Sequence, residues 1–306
     1  MEPSELNVVT GAFGYTGKHI ASRLLAEGKR VVTLTGHPGR PNPFNGRVSV
    51  APLDFDNLSR LAMSMEGATT LFNTYWVRLD YGQATYAKAV ANTGTLIRAA
   101  REAGVRRIVH HSVTNNSESS PLPYFRGKAL LEKEIAGSGL SYAIIRPALI
   151  FGDGDILINN IAWILKRFPV FAVPGSGDYK LRPIFVGDLA QMAIDVAQNG
   201  QNMVIDAVGP EVYSFNDLVH LMAKAVGSSA RIIHLKPKHT LRLAKLIGSL
   251  VGDVVLTHDE LEGLMAGLLL SDGPSTGETH LSYWLFQNAG SVGARYASEL
   301  ERHYRH

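Results

Sequence analysis

Through its first half the chain alternates short apolar runs with longer segments whose apolar positions recur every three to four residues. Asn7 to Thr10, the β-branched run Arg30 to Thr35, Arg47 to Ala51, Thr69 to Thr74, Arg107 to Ser112 and Ser141 to Arg146 read as six strands. Between them Tyr15 to Glu27, Leu58 to Met65, Gln83 to Ala103 and Lys128 to Ala136 read as helices, the first and third closed by Gly28 and Gly104. Strands that alternate with helices of this length build βαβ units. The pattern predicts an α/β fold: a doubly wound parallel sheet covered by helices on both faces.

After Arg146 the regularity weakens. Ile156 to Phe168 reads as a helix, Pro169 to Pro183 as a proline- and glycine-rich stretch, and Asp188 to Gln198 as a helix with Asp188 as its N-cap. Met203 to Ala207 and Ile232 to Leu235 fit strands, Ser214 to Asp217 opens a helix, and from Pro237 onward the pattern is helical. The expected division is a core at residues 1–150 and a smaller, mostly helical C-terminal lobe at 151–306, with some segments returning to the core. Such a lobe over the C-terminal edge of the sheet would complete a ligand cleft there.

Composition narrows this picture by exclusion. The 306 residues are 45% hydrophobic and 19% charged, which is ordinary for a globular chain. With no cysteine there are no disulfides and no thiolate metal sites. A net charge of +3, with no run of Lys/Arg interleaved with aromatics, gives no nucleic-acid signature. The polar start Met1 to Asn7 lacks the layout of a signal peptide, and Leu261 to Leu270 is too short to span a bilayer. The expectation is a cytoplasmic protein with no membrane span and a small-molecule substrate.

The first chemistry-bearing motif lies at the end of the first strand. Residues 10–17 read Thr-Gly-Ala-Phe-Gly-Tyr-Thr-Gly and open a helix. Gly11 permits a tight turn, Gly14 lets backbone approach a pyrophosphate, and Gly17 lets helix and strand pack closely. The helix start adds N–H groups and partial positive charge. In this strand–turn–helix context the motif predicts a Rossmann site for a nicotinamide dinucleotide, with Gly11, Phe13, Gly14, Tyr15, Thr16 and Gly17 around it. NAD-binding versions place an acid after the second strand. Here that place reads Thr35-Gly36-His37-Pro38-Gly39-Arg40, with no carboxylate. His37 and Arg40 would attract a 2′-phosphate, so NADP is favoured over NAD. The competing role for each is a solvated loop position. Asp54, after the third strand, is a candidate partner for the adenine amino group; the competing role is helix capping, for which Asp56 is equally suited.

Tyr124 and Lys128 stand four apart, a spacing that puts both on one helical face. An ammonium near a phenol favours the phenolate, and a phenol so tuned exchanges a proton with a carbonyl or alcohol oxygen near neutral pH. Ser112, at the end of the fifth strand, can hold the same oxygen. Tyr-x-x-x-Lys is common on exposed helices, so its position after the fifth strand matters more than the spacing.

These motifs, with Arg146-Pro147, Phe151-Gly152 and the run Arg182-Pro183-Ile184-Phe185-Val186-Gly187-Asp188-Leu189-Ala190, resemble the short-chain dehydrogenase/reductase superfamily in its extended or atypical branch. Within it, the likeness is to the NAD(P)H-binding, NmrA-like proteins and the 39-kDa accessory subunit of respiratory complex I, over about residues 7 to 235. The resemblance implies that Tyr124 is the acid/base, that Lys128 also binds the nicotinamide ribose, and that Ser112 orients substrate. It also implies that Arg146 and Pro147 lie beside the nicotinamide, and that Asn73, Thr74 and Tyr75 flank the cofactor ribose. The chain departs from the pattern at Gly36, where NADP-binding relatives commonly carry a base, and in a short Ser112–Tyr124 segment without the insertion of sugar-nucleotide epimerases. The complex I subunits keep a similar Tyr/Lys pair in a structural, cofactor-holding role.

Three functions follow as expectations: an NAD(P)-dependent oxidoreductase of a small, partly apolar carbonyl or alcohol; a non-catalytic NADP(H)-binding sensor or accessory protein; and an epimerase or dehydratase of a sugar nucleotide. In related proteins helices such as Gln83 to Ala103 pair in a homodimer. His110 and His111 are adjacent on a strand and point to opposite faces, so they form no common metal face; one is expected in the core and one at the cofactor edge. Asp153, Asp155 and Asp178 lack calcium-loop spacing and suit loop or cap roles. No metal site is predicted. Trp163, Phe168, Phe171, Met203, Leu264 and Met265 are expected in the lobe-side core or lining a substrate cleft.

Overall fold

The computed structural model describes residues 5–304; the polar start at Met1–Ser4 lies outside the described residues. The chain divides into two compact units, Met1–Pro147 with Val186–Asp206, and Ala148–Phe185 with Ala207–His306.

The first unit contains β1 (Leu6–Thr10), α1 (Tyr15–Ala26), β2 (Arg30–Thr35), β3 (Val48–Pro52), α2 (Leu58–Met63), β4 (Ala68–Asn73), α3 (Tyr86–Glu102), β5 (Arg107–His111), α4 (Pro123–Ala136) and β6 (Ser141–Pro147). The second begins with β7 (Leu149–Phe151), α5 (Leu157–Arg167), β8 (Val170–Pro174), β9 (Lys180–Leu181) and β10 (Pro183–Phe185). The chain then supplies α6 (Val186–Gln198) and β11 (Met203–Ala207) to the large sheet. It ends in β12 (Tyr213–Ser214), α7 (Phe215–Ala225), β13 (Arg231–Leu235), α8 (Pro237–Val251), α9 (His258–Met265), α10 (Leu281–Gln287) and α11 (Glu299–His303).

The large sheet has the order β11-β6-β5-β4-β1-β2-β3, and β1 through β6 pair in parallel. This is the doubly wound Rossmann arrangement. The strand order reverses between β1 and β4, and ligands of open α/β sheets bind at the carboxyl end of such a switch point. Alternation along the strands sends Val8, Leu71 and Ile108 into a core with Leu61, Leu96 and Ile135 of α2, α3 and α4. On the helices, α1 packs against α6, and α3 packs against both α2 and α4.

Several boundaries differ from the sequence reading. Helix α3 starts at Tyr86, because Tyr81 and Ala84 close a bridge, Asp80 takes the Tyr86 amide and Thr85 caps Lys88. Helix α4 starts at Pro123, so Tyr124 lies in its first turn. Asn57, not Asp56, caps α2 by accepting from the Arg60 amide at 3.0 Å. Asp188 is not an N-cap; α6 starts two residues earlier and holds Asp188 within its first turn. The stretch 169–183 contains β8, β9 and the start of β10, strands too short to show alternation.

The second unit has its own core, built from Phe151, Ile158, Leu165, Phe171, Leu218, Met222 and Leu285 among others. Phe171 is thus a core residue, while Trp163 meets Phe168 and Tyr296 edge-on. Asp155 accepts the Ile158 and Asn159 amides at the start of α5, as its capping role required. Arg182 donates to the carbonyls of Gly209, Ser271 and Gly273, tying the irregular C-terminal segment to β9 and β10. Among the described residues no helix is long and apolar enough to cross a membrane.

Candidate functional site

The glycine turn is built as its spacing demands. Gly11 has φ +66°, a conformation that side chains rarely adopt, and its amide bonds the Leu34 carbonyl at 2.9 Å. A Cβ on Gly17 would stand 2.3 Å from the Gly11 carbonyl oxygen. Glycine is therefore required for the strand and helix to come this close. No side chain caps the start of α1, and no acid lies in its first turn. A 12-residue helix thus presents its positive end beside a turn that lacks Cβ atoms at Gly11 and Gly14. Ala12 is buried, with its amide on Thr33 Oγ1, while Phe13, Gly14, Tyr15 and Thr16 remain partly exposed. Phe13 leans toward Phe44, at 6.3 Å between ring centres. These features fit a dinucleotide pyrophosphate.

Thr10 joins this turn to the end of β4. Its hydroxyl accepts from the amides of Thr74 and Tyr75 at 2.8 and 3.0 Å, and its carbonyl accepts from the Thr74 hydroxyl at 2.6 Å. Asn73 next to it is fully buried and donates from Nδ2 to His110 Nδ1 at 3.0 Å. That bond places the His110 proton on Nε2, which is buried without a partner, as is His111 Nε2. Tyr75 packs on Phe55 and its hydroxyl accepts from Asn92, while burial raises its pKa. The three residues expected around the cofactor ribose are thus coupled to the glycine turn through one threonine.

Helix α4 brings the third group. Lys128 is 3% exposed, donates to the His111 carbonyl at 2.6 Å and lies 4.5 Å from the centre of the Trp76 ring. Burial pushes its ammonium down to about 7, against the opposing pull of Glu132. Burial, with the Lys128 charge behind it, likewise holds His111 down to about 3 and His110 well below its ordinary value. Tyr124, one turn before Lys128, meets Trp76 and Tyr86 edge-on at 5.8 and 5.9 Å, and those two rings stack. Gly127 permits this packing, since a Cβ there would stand 2.8 Å from the Trp76 ring.

One turn further along the same face, Glu132 grips Arg146 with both oxygens, Nε lying 2.9 and 3.1 Å away. Glu132 also accepts from Asn116, whose amide nitrogen reaches Ser112 Oγ at 3.2 Å. Ser112 is therefore held by a chain running through Asn116 and Glu132 to Arg146. The hydrogen bonds that Arg146 donates to Glu132 raise its pKa despite partial burial. Arg146 and Glu132 line an open groove of about 350 Å³ with Asn116, Lys133 and Tyr142. The Pro147 carbonyl accepts from the Thr114 amide at 3.1 Å.

The remaining candidates lie on loops after β2 and β3. His37 is exposed and Arg40 half-buried, joined in a turn by the Arg40 amide on the His37 carbonyl. Asp54 accepts the Asp56 amide and pairs with Arg60 at 3.3 Å. His110 and His111 are both buried. Motifs alone do not point to Thr10 as a clip, or to Trp76, Asn116 and Glu132. Of these only Glu132 left a signal, its spacing of four from Lys128 and eight from Tyr124.

Residues 11–157 match the family model described as NAD(P)H-binding. The matched segment is 147 of the 306 residues, just under half of the chain. The match runs from the glycine turn through Lys128 to the first residue of α5. Among relatives, the Arabidopsis thaliana mitochondrial protein called NADH dehydrogenase (ubiquinone) 1 alpha subcomplex subunit 9 is 25% identical over 240 residues, 74% of this chain. The chain spans 59% of that relative's length. An Escherichia coli NADPH-dependent quinone oxidoreductase, complexed with NADPH, superposes with TM-score 0.77 at 19% identity over 93% of this chain and 98% of that one. A Staphylococcus aureus nucleoside-diphosphate-sugar epimerase gives 0.73 at 18% identity over 92% and 99%. At such identities the two structures speak for the fold, and the matched segment supports a nicotinamide cofactor.

Proposed function

We propose that this chain is an NADPH-using reductase of a small, partly apolar carbonyl compound. The observation that carries the reading is the placement of Tyr124 and Lys128 one turn apart at the head of α4, with Lys128 bound to the carbonyl that precedes Ser112. Lys128, Asn73 and the glycine turn would hold the cofactor, with His37 and Arg40 receiving a 2′-phosphate. When bound, the nicotinamide supplies the reducing hydride to the substrate carbon. Tyr124 gives its phenolic proton to the substrate oxygen, and the Lys128 ammonium stabilises the phenolate left behind. Ser112, steadied by Asn116, donates a hydrogen bond to the same oxygen. The rings of Trp76 and Tyr86 exclude water and favour an apolar flank on the substrate. Turnover with NADPH across a carbonyl panel tests this. Tyr124→Phe should lose ~10²–10⁴-fold in kcat with unchanged nucleotide affinity, and equal turnover in both proteins would remove Tyr124 from the role.

The second reading is a module that holds NAD(P)H without turning it over. It is favoured by the enclosure of Lys128 beneath Trp76 and by the relation to a respiratory-complex subunit. Saturable thermal stabilisation by NADPH, with no oxidation by any carbonyl tested, would select it.

A further inference from the structure

Helix α8 of the second unit has a surface that the nucleotide site does not use. From Leu218 to Gly252 the chain contains six cations (Lys224, Arg231, Lys236, Lys238, Arg242, Lys245) and no acid, whereas the whole chain carries only +3. Four of these lie at or on α8, a 15-residue helix started by Pro237 and ended by Gly252 in the left-handed conformation. The helix buries Thr240, Ala244, Ile247 and Gly248. At 100° per residue, Lys245, Lys238, Arg242, Leu246 and Leu250 fall on the opposite side within an arc of about 140°. Lys238, Arg242 and Lys245 occupy one flank of that arc and the leucines the other, with exposed His239 between the leucines and Lys236 beyond them. Leu246 is 60% exposed, and Leu250, at 72%, is the most exposed large apolar side chain among the described residues. No ion pair or side-chain hydrogen bond among the described residues engages Lys236, Lys238, Arg242 or Lys245.

We propose that α8 lies flat on an anionic lipid surface, with its cations at the headgroups and Leu246 and Leu250 entering the acyl boundary. A row of cations beside exposed leucines on one helical face is the arrangement of interfacial helices. The leucines decide between partners. A nucleic acid would meet the cations but give Leu250 no apolar neighbour. A second copy of the same face would set cations against cations if antiparallel and against leucines if parallel.

The test is co-flotation of the full chain with phosphatidylcholine vesicles with and without phosphatidylserine. Binding is expected only with phosphatidylserine and should weaken as salt rises. Neutralising Lys238, Arg242 and Lys245 to Gln together should lower partitioning ~100-fold, from ~5-fold per cation at the surface. Leu246→Ser with Leu250→Ser should lower it ~10-fold or more, by removing the apolar contact. Both variants change exposed positions and should keep wild-type melting behaviour and NADPH affinity. Equal partitioning onto both vesicle types, or none, would overturn the proposal. So would full vesicle binding by the leucine variant, or single-stranded DNA binding that displaces the vesicles.

Discussion

One face of α4 carries two buried charges one turn apart, and they are treated in opposite ways. Glu132 is answered by a two-pronged Arg146 and by Asn116. Lys128 has a backbone carbonyl and an aromatic ring but no hydrogen-bonded carboxylate, and two neutral histidines with unsatisfied nitrogens stand nearby. A satisfied pair of this kind is scaffold, because each member meets the desolvation cost of the other. A buried cation whose nearest carboxylate is already engaged by an arginine is costly unless something anionic or polar arrives to use it. Under the proposed function, the contrast separates the part that fixes Ser112 from the part that would meet a ligand.

Breaking the satisfied half should have the largest effect on folding. Glu132→Ala leaves Arg146 without its acceptor, removes one of the acceptors of Asn116, and should cost about 3 kcal/mol, near the low end for a broken buried pair because Arg146 is partly exposed. Urea denaturation measures this, and NADPH affinity should change far less than in a Lys128 variant. Lys128→Met should do the reverse. Nucleotide affinity should fall ~10–100-fold through loss of a charge-assisted contact, while stability at pH 6, where the folded chain must hold a buried ammonium, should rise. A loss of stability with unchanged affinity would reverse the roles assigned to the two residues.

The smallest effect is in the acid limb of the stability profile. In the folded chain His111 titrates near 3 and His110 also lies far below its ordinary value, whereas both ordinarily titrate near 6.5 once unfolded. Between those limits the unfolded chain binds more protons. The stabilisation from neutral histidines is therefore full above about pH 6.5 and falls as pH drops through that window toward 3. His110→Phe with His111→Phe should flatten this slope, as read from melting temperature against pH. For Lys128 the unfolded chain holds the extra proton between about 7 and 10.5, so its contribution rises with pH across that range. Lys128→Met should remove that rise.

The two halves of α4 were not equally legible in the sequence. Lys128 and Tyr124 announced themselves by spacing, as the glycine turn did by Gly11, Gly14 and Gly17. Strand β2 was readable to the residue because Val31, Val32 and Thr33 are β-branched in succession. Glu132 was on the same face but its meaning depends on Arg146 and Asn116, which arrive from other elements. Trp76 follows β4 in a segment with no periodicity, so its place over Lys128 is a tertiary fact. The start of α4 was hidden by the serine- and proline-rich run before it, although Pro123 at the first helical position is a helix-start signal. At α2, Asp56 and Asn57 are both competent caps, and only the folded turn chooses. The short strands of the second unit lie among prolines and glycines, where two to five residues give no periodic signal.

The account rests on a dinucleotide that meets the glycine turn and recharges Lys128. Titration calorimetry with NADPH at pH 8, in two buffers of different ionisation enthalpy, tests this directly. Saturable binding should be accompanied by net proton uptake in the wild type, because an anionic ligand returns the proton that burial removed from Lys128, and Lys128→Met should lose that uptake. Saturable binding with no proton uptake, or no binding at all, would contradict it.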